Sequence, residues 1–166
     1  MILQIEKQEI IEKLLPLFAE IECGNKFDIK NPLHTSWLEK RLTIYIERGA
    51  TVFAYYIERN KPIGFTLLLI DDGPIGVPYL GQYAEILDIG ILSEYRGKGY
   101  GSKLINYAEG LAEKSGVYCL GIYTTENDRD AIAFYKKNGF DLLATIPDVH
   151  GPKAPGKVWM RKLIEK

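Results

Sequence analysis

Only two cysteines and two histidines occur among the 166 residues, and that scarcity sets the first limits. Cys23 and Cys119 form no CxxC pair and cannot build a disulfide framework. With His34 and His150 as the only histidines, no Cys/His cluster has zinc spacing, so no metal is expected. Long apolar runs are missing too: none approaches the roughly 20 residues needed to span a bilayer. Met1 to Glu6 lacks a basic stretch and meets an acid early, unlike a signal peptide. We read the chain as cytoplasmic and reduced. An excess of one charge is also absent, since 21 Lys+Arg face 22 Asp+Glu for a net charge of -1. Nucleic-acid binders and proteins held on anionic membranes normally carry a basic excess. Neither nucleic acid nor membrane is therefore expected as a partner, although a local basic patch is compatible with the total.

What is present suits one globular domain over residues 1–166. The composition is 46% hydrophobic and 26% charged, and the length is enough to bury a core unaided. Leu3 to Ile5 reads as a short strand. Ile10, Ile11, Leu14, Leu15, Leu17 and Phe18 recur at helical spacing, weakened at Pro16. A second helix is expected from Pro32 to Arg48, with Trp37, Leu38, Arg41, Leu42 and Tyr45 marking its faces and Gly49 as its stop. Thr51 to Ile57 and Ile63 to Ile70 read as a hairpin. Asp71 to Gly81 reads as a loop, Ala84 to Leu92 as a strand and Gly99 to Ser115 as a helix. Val117 to Thr124 is a strand, Asp130 to Asn138 a helix, and Asp141 to Ile146 and Val158 to Leu163 the last strands. The order implies a mixed α/β fold, with a parallel pair where strand, helix and strand follow in turn.

The most informative stretch runs from Ile89 to Leu104. A strand enters a loop with alternating Gly97, Gly99 and Gly101, and an amphipathic helix follows. Glycines let backbone N–H groups converge and let a ligand approach closely. A helix start adds unpaired N–H groups and partial positive charge. Arg96, Lys98 and Lys103 add full charges, so the loop suits a phosphate or pyrophosphate. It matches neither G-x-x-x-x-G-K-[ST] nor G-x-G-x-x-G.

Arg96-x-x-Gly99-x-Gly101 instead resembles the acyl-CoA pyrophosphate loop of the GNAT acetyltransferase superfamily. The resemblance extends on both sides. Ala84 to Ile91 looks like the family's central strand. Asn127 to Phe140, with Ala131, Tyr135 and a Gly-Phe opening the next strand, looks like its second signature. The likeness is motif-level from about Tyr83 to Phe140 and only architectural elsewhere. It implies a single-domain GNAT-like fold: a mixed, mostly antiparallel sheet flanked by helices, with the parallel pair at the acetyl-CoA site. It also implies N-acetyl transfer from acetyl-CoA to an amine by direct attack, without a covalent intermediate.

Carried onto this chain, the resemblance makes Arg96, Gly97, Lys98, Gly99, Tyr100, Gly101 and Ser102 the pyrophosphate loop. It places the backbone of Ile89 and Ile91 against the acetyl carbonyl and pantetheine arm, and Asn127 against the CoA arm. Tyr135 matches the tyrosine that protonates the leaving thiolate; a phenol, with an ordinary pKa of about 10, carries its proton at neutral pH. Glu85 matches the position of a catalytic base in several members. Asp88 and a water chain remain rivals, and Glu85 and Asp88 point to opposite faces unless the strand bulges, as the family's does near Ile89 to Ile91. His34 and His150 lie outside the signatures. Cys119 reads as a core residue and Cys23 as a loop thiol.

The acceptor is where the sequence is silent. The first two helices, the Asp71 to Gly81 loop and the Pro147 to Gly156 loop should wall its site, and Trp37, Tyr79 and Tyr83 are candidates for an aromatic side. A small molecule, a peptide or a protein amine all fit. A non-catalytic acyl-CoA sensor and a nucleotide-binding regulatory domain remain as other classes, and a homodimer stays open.

Overall fold

The computed structural model describes residues 1–23, 30–58, 61–71, 83–149 and 151–164, the side chains of residues 8, 23 and 71 excepted. The principal elements are β1 (Ile2–Gln4), α1 (Ile10–Cys23), α2 (Pro32–Glu47), β2 (Thr51–Glu58), β3 (Lys61–Asp71) and β4 (Tyr83–Ile91). They continue with α3 (Tyr100–Lys114), β5 (Cys119–Thr125), α4 (Arg129–Lys137), β6 (Asp141–Ile146) and β7 (Lys157–Leu163). Two compact units result: Met1–Leu69 with Leu87–Ala108, and Ile70–Ile86 with Glu109–Lys166. Among the described residues no helix is long and apolar enough to cross a membrane.

The first unit carries β1, β2, β3 and the end of β4 in that order. β2 pairs antiparallel with β1 and with β3. Register places Val52 opposite Leu67 and Ala54 opposite Phe65, all buried on one face. That face receives α1, whose Phe18 ring meets Phe65 edge-on at 5.2 Å. The alternate residues Phe53 and Tyr55 serve the other face, each 5.1 Å from a ring of α3, Tyr107 and Tyr100 respectively. Gly64 is required by crowding: a Cβ there would lie 2.6 Å from the Gly90 carbonyl and collide with Ile91.

Both early helices follow from their sequence. Asn31 caps α2, accepting the Leu33 N–H at 3.0 Å, and Pro32 follows where no N–H is needed. Gly49, with φ of 92°, ends it. α1 does not weaken at Pro16 as the sequence suggests, but runs through it to Cys23. Leu14, Leu15, Leu17, Phe18 and Ala19 are buried around that point, and their packing offsets the missing backbone bond. Cys23 therefore closes a helix rather than sitting in a loop.

The second unit carries the start of β4, then β5, β7 and β6. β4 and β5 run parallel, with Ala84 opposite Leu120 and Ile86 opposite Ile122. β7 is antiparallel to both β5 and β6. Asp128 caps α4 by accepting the Ala131 N–H at 3.0 Å, and Gly139 ends it with φ of 86°. The expected mixed, mostly antiparallel architecture with one parallel pair is the one observed; where both bounds of an element were expected, its ends shift by at most two residues. Tyr79, His150 and all but the first residue of the Asp71 to Gly81 loop lie outside the described residues.

Candidate functional site

The glycine loop takes its shape from backbone rather than side-chain demands. Gly97 and Gly99 have φ of 74° and 82°, and a Cβ on either would meet nothing within 4 Å. Glycine is thus needed there for conformation, leaving open space above the backbone. The first α3 bond runs from Lys103 N–H to the Gly99 carbonyl. The N–H groups of Tyr100, Gly101 and Ser102 precede it and have no acceptor within the helix.

The cations are anchored around this loop. Arg96 Nε donates to the Ile91 carbonyl at 2.9 Å, tying the loop to the end of β4. Lys98 Nζ donates to the Glu94 carbonyl at 2.9 Å. Lys103 lies 5.6 Å from the centre of the Tyr100 ring. Leu92 N–H donates to the Ile63 carbonyl, so alternation turns the Ile91 N–H away from β3. These features fit an anionic diphosphate and an adjoining amide-bearing arm. Gly99→Ala should cost about 1–2 kcal/mol in a urea melt through its left-handed φ and weaken the binding of a diphosphate ligand followed by titration.

In the second unit, Glu85 is half-buried on β4, in register with Gly121 of β5. Tyr135 is 7% exposed on α4, its ring 5.4 Å from Phe134 and 5.9 Å from Phe140. Asn127 is exposed in the turn before α4, where Asp128 rather than Asn127 supplies the cap. Cys119 is a buried free thiol, its pKa pushed up by burial, which makes it a poor nucleophile.

Asp88, the rival carboxylate on the same strand, sits in a part-buried ion-pair cluster. Ala84, Ile86 and Asp88 are all buried along β4, alternating with half-buried Glu85, Leu87 and Ile89, so Asp88 faces away from Glu85. Arg41 of α2 reaches it with Nη2 to Oδ2 at 2.7 Å and reaches Glu22 of α1 with Nη1 at 2.9 Å. Arg41 Nε donates to the Tyr45 hydroxyl at 3.2 Å. The guanidinium also lies against Phe18, Trp37 and Tyr45, at 5.2, 5.7 and 5.8 Å from the ring centres. Burial and the nearby Glu22 carboxylate push the Asp88 carboxyl up to about 7, against the opposing pull of Arg41 and the Ile89 N–H. Burial works against Arg41's charge, but Asp88, Tyr45 and Glu22 outweigh it and raise its pKa. The legible signal was the Trp37, Arg41, Tyr45 stripe at i, i+4 spacing and an acid inside an apolar strand. Among the described residues no group of His, Cys, Asp or Glu is placed to hold a metal.

The chain thus carries a glycine loop that opens α3 after β4, and a capped, tyrosine-bearing α4 after β5. The sequence profile of the Acetyltransferase (GNAT) family matches residues 16–140, and the chain belongs to that family. An uncharacterised N-acetyltransferase of Methanocaldococcus jannaschii is 28% identical over 137 residues, covering 82% of this chain. The match spans 58% of that relative's length. N-alpha-acetyltransferase 50 of Danio rerio is 33% identical over 61 residues, 36% of each chain. Among solved structures, a ribosomal-protein-alanine N-acetyltransferase from Brucella melitensis superposes with a TM-score of 0.70. It is 18% identical, with 98% of this chain and 99% of that one covered. A GNAT-family protein from Desulfovibrio desulfuricans gives 0.74 at 13% identity, with 99% of each chain covered. At these identities the superpositions speak for the fold.

Proposed function

We propose that residues 1–166 act as one N-acetyltransferase domain that moves an acetyl group from acetyl-CoA to an amine by direct attack in a ternary complex. The observation that carries this is the loop itself: two left-handed glycines feed the open N-terminus of α3, with Arg96 and Lys98 fixed beside it. Gly97, Lys98, Gly99, Tyr100, Gly101 and Ser102 would receive the pyrophosphate through backbone N–H groups and nearby cations. The Ile91 N–H and the Ile89 backbone lie along the same stretch for the acetyl carbonyl and the amide-bearing arm, and Asn127 serves that arm further on. The bound thioester supplies an activated acyl carbon; the protein supplies position and protons.

Glu85 takes a proton from the acceptor ammonium, directly or through water, because only the neutral amine has a free electron pair. The nitrogen bonds to the carbonyl carbon while backbone donors hold the oxyanion. The carbon–sulfur bond breaks, and the Tyr135 hydroxyl gives its proton to the departing thiolate. The nitrogen sheds its second proton as the amide forms; that proton returns to the Tyr135 phenolate through solvent, and Glu85 releases the first, so one proton leaves per turnover. Similar folds include one named for alanine of a ribosomal protein and one determined with a peptide and CoA. They support a peptide or protein amine beside a small-molecule acceptor.

The test is thiol release from acetyl-CoA across a panel of amines. Glu85→Gln should lower kcat at pH 7 by about 10²-fold, within the usual range for general base catalysis, with the loss shrinking as pH approaches the amine's own pKa. Saturable CoA binding without thiol release from any amine would replace the enzyme reading with a sensor, and tighter binding of ATP than of CoA would replace both.

A further inference from the structure

On the second unit's sheet, register assembles a face of which the proposed chemistry uses Glu85 alone. Glu85 lies opposite Gly121, and β5 places Gly121, Tyr123 and Thr125 opposite Arg161, Trp159 and Lys157 of β7. Paired residues project to the same side and alternate with period two, so these seven share one face. The opposite face is closed, with Leu120, Ile122, Val158 and Met160 all buried. On the half-buried face, the Tyr123 and Trp159 rings stack with centres 6.0 Å apart and planes 13° apart. The indole also reaches over Gly121, where a Cβ would lie at an ordinary contact distance of 3.5 Å from Trp159 Nε1. Glu85 is close enough for its charge, second to burial, to raise the Tyr123 pKa.

This shelf already holds a primary ammonium, because Lys157 Nζ lies 4.2 Å from the centre of the Tyr123 ring. The root of that side chain is fixed by two bonds between Gly156 and Glu126, at 2.8 and 2.9 Å. Arg161, the other cation on the face, interacts with Tyr118 and Cys119 at the far end of β5. An aromatic stack attracts cations through its ring faces, and a carboxylate on the same side adds to that attraction. A lysine ε-ammonium is chemically a primary alkylammonium.

We propose that Tyr123 and Trp159 form a subsite for the primary alkylammonium group of the acceptor, held near Glu85, and that Lys157 competes with the acceptor for it. The inference rests on the acetyltransferase reading and narrows its acceptor class to charged primary alkylamines. Weakly basic amines, uncharged at neutral pH, would gain nothing from the shelf.

The test uses the full chain carrying Trp37→Phe, which leaves Trp159 as the sole indole, and follows its fluorescence during titration with n-butylammonium, 1-butanol and butyrate. Saturable change with n-butylammonium alone is expected. Lys157→Met should tighten it by about threefold or more, the scale of a cation–ring contact. Tyr123→Leu should abolish it, while Tyr123→Phe, which keeps the ring and guards against misfolding of the leucine variant, should retain it. Saturable butyrate binding that Lys157→Met removes would overturn the proposal, as would unchanged or weaker ammonium binding in that variant or loss in Tyr123→Phe. Thiol release measured alongside separates the two readings. Ammonium binding without turnover of any amine leaves the subsite standing and removes the enzyme. Turnover of n-butylamine with KM unmoved by Lys157→Met and Tyr123→Leu leaves the enzyme and removes the subsite.

Discussion

Tyr135→Phe should lower kcat by about 10²- to 10³-fold, the usual worth of a positioned general acid, and change KM for acetyl-CoA by less than about threefold. The substitution keeps the buried ring. Its contacts with Phe134 and Phe140 involve aromatic carbon that phenylalanine keeps. The backbone around it is held independently: the Tyr135 carbonyl accepts the Phe140 and Asn138 N–H groups, and Asp128 caps the helix. A thermal melt should therefore move little while turnover collapses. The pH profile supplies a second reading. If the phenol is the acid, activity in the native enzyme falls on the alkaline side as the phenol ionises, and the phenylalanine variant loses that limb. A variant with kcat within about threefold of native would assign the thiolate's proton to solvent, the weaker donor that general acid catalysis is meant to replace.

The parts of the molecule that the sequence made plain are those built from local chemistry. The loop from Arg96 to Ser102 was legible because a glycine-rich turn and a helix start are short-range features; the left-handed φ of Gly97 and Gly99 adds to that reading. Helix stops at Gly49 and Gly139 were legible for the same reason. The β2–β3 hairpin and the β4–β5 crossover followed from element order. Long-range partnerships were another matter. Nothing local joins Arg41 to Asp88, 47 positions away, because that pair depends on how α2 crosses the sheet. The Tyr123, Trp159 and Lys157 grouping likewise depends on β5–β7 register, which one sequence does not reveal. Pro16 misled because a local cost was weighed without the tertiary packing of Leu14, Leu17 and Phe18 that offsets it.

Arg41→Met should be strongly destabilising, and its cost should depend on pH. Methionine can fill the space among Phe18, Trp37 and Tyr45, but it leaves Asp88 buried without a cation. Breaking a buried ion pair from one side typically costs about 3–5 kcal/mol. The sign of the pH effect follows from the carboxyl's position near 7 in the folded chain against 3.8 when free. Between those values the folded state holds a proton that the unfolded chain releases, so stability falls as pH rises, by up to about 1.4 kcal/mol per unit. Arg41 is what keeps that rise from continuing further. Without it the folded pKa climbs and the unfavourable window extends above neutrality. Urea unfolding should therefore show a loss near the top of that range at pH 8 and a clearly smaller one at pH 5, where Asp88 is protonated in either protein. Adding Asp88→Asn to Arg41→Met should recover much of the pH 8 loss, because the amide carries no charge to strand. Equal losses at both pH values, with no recovery in the double variant, would mean that Arg41 stabilises α2 through its ring contacts and Glu22 alone.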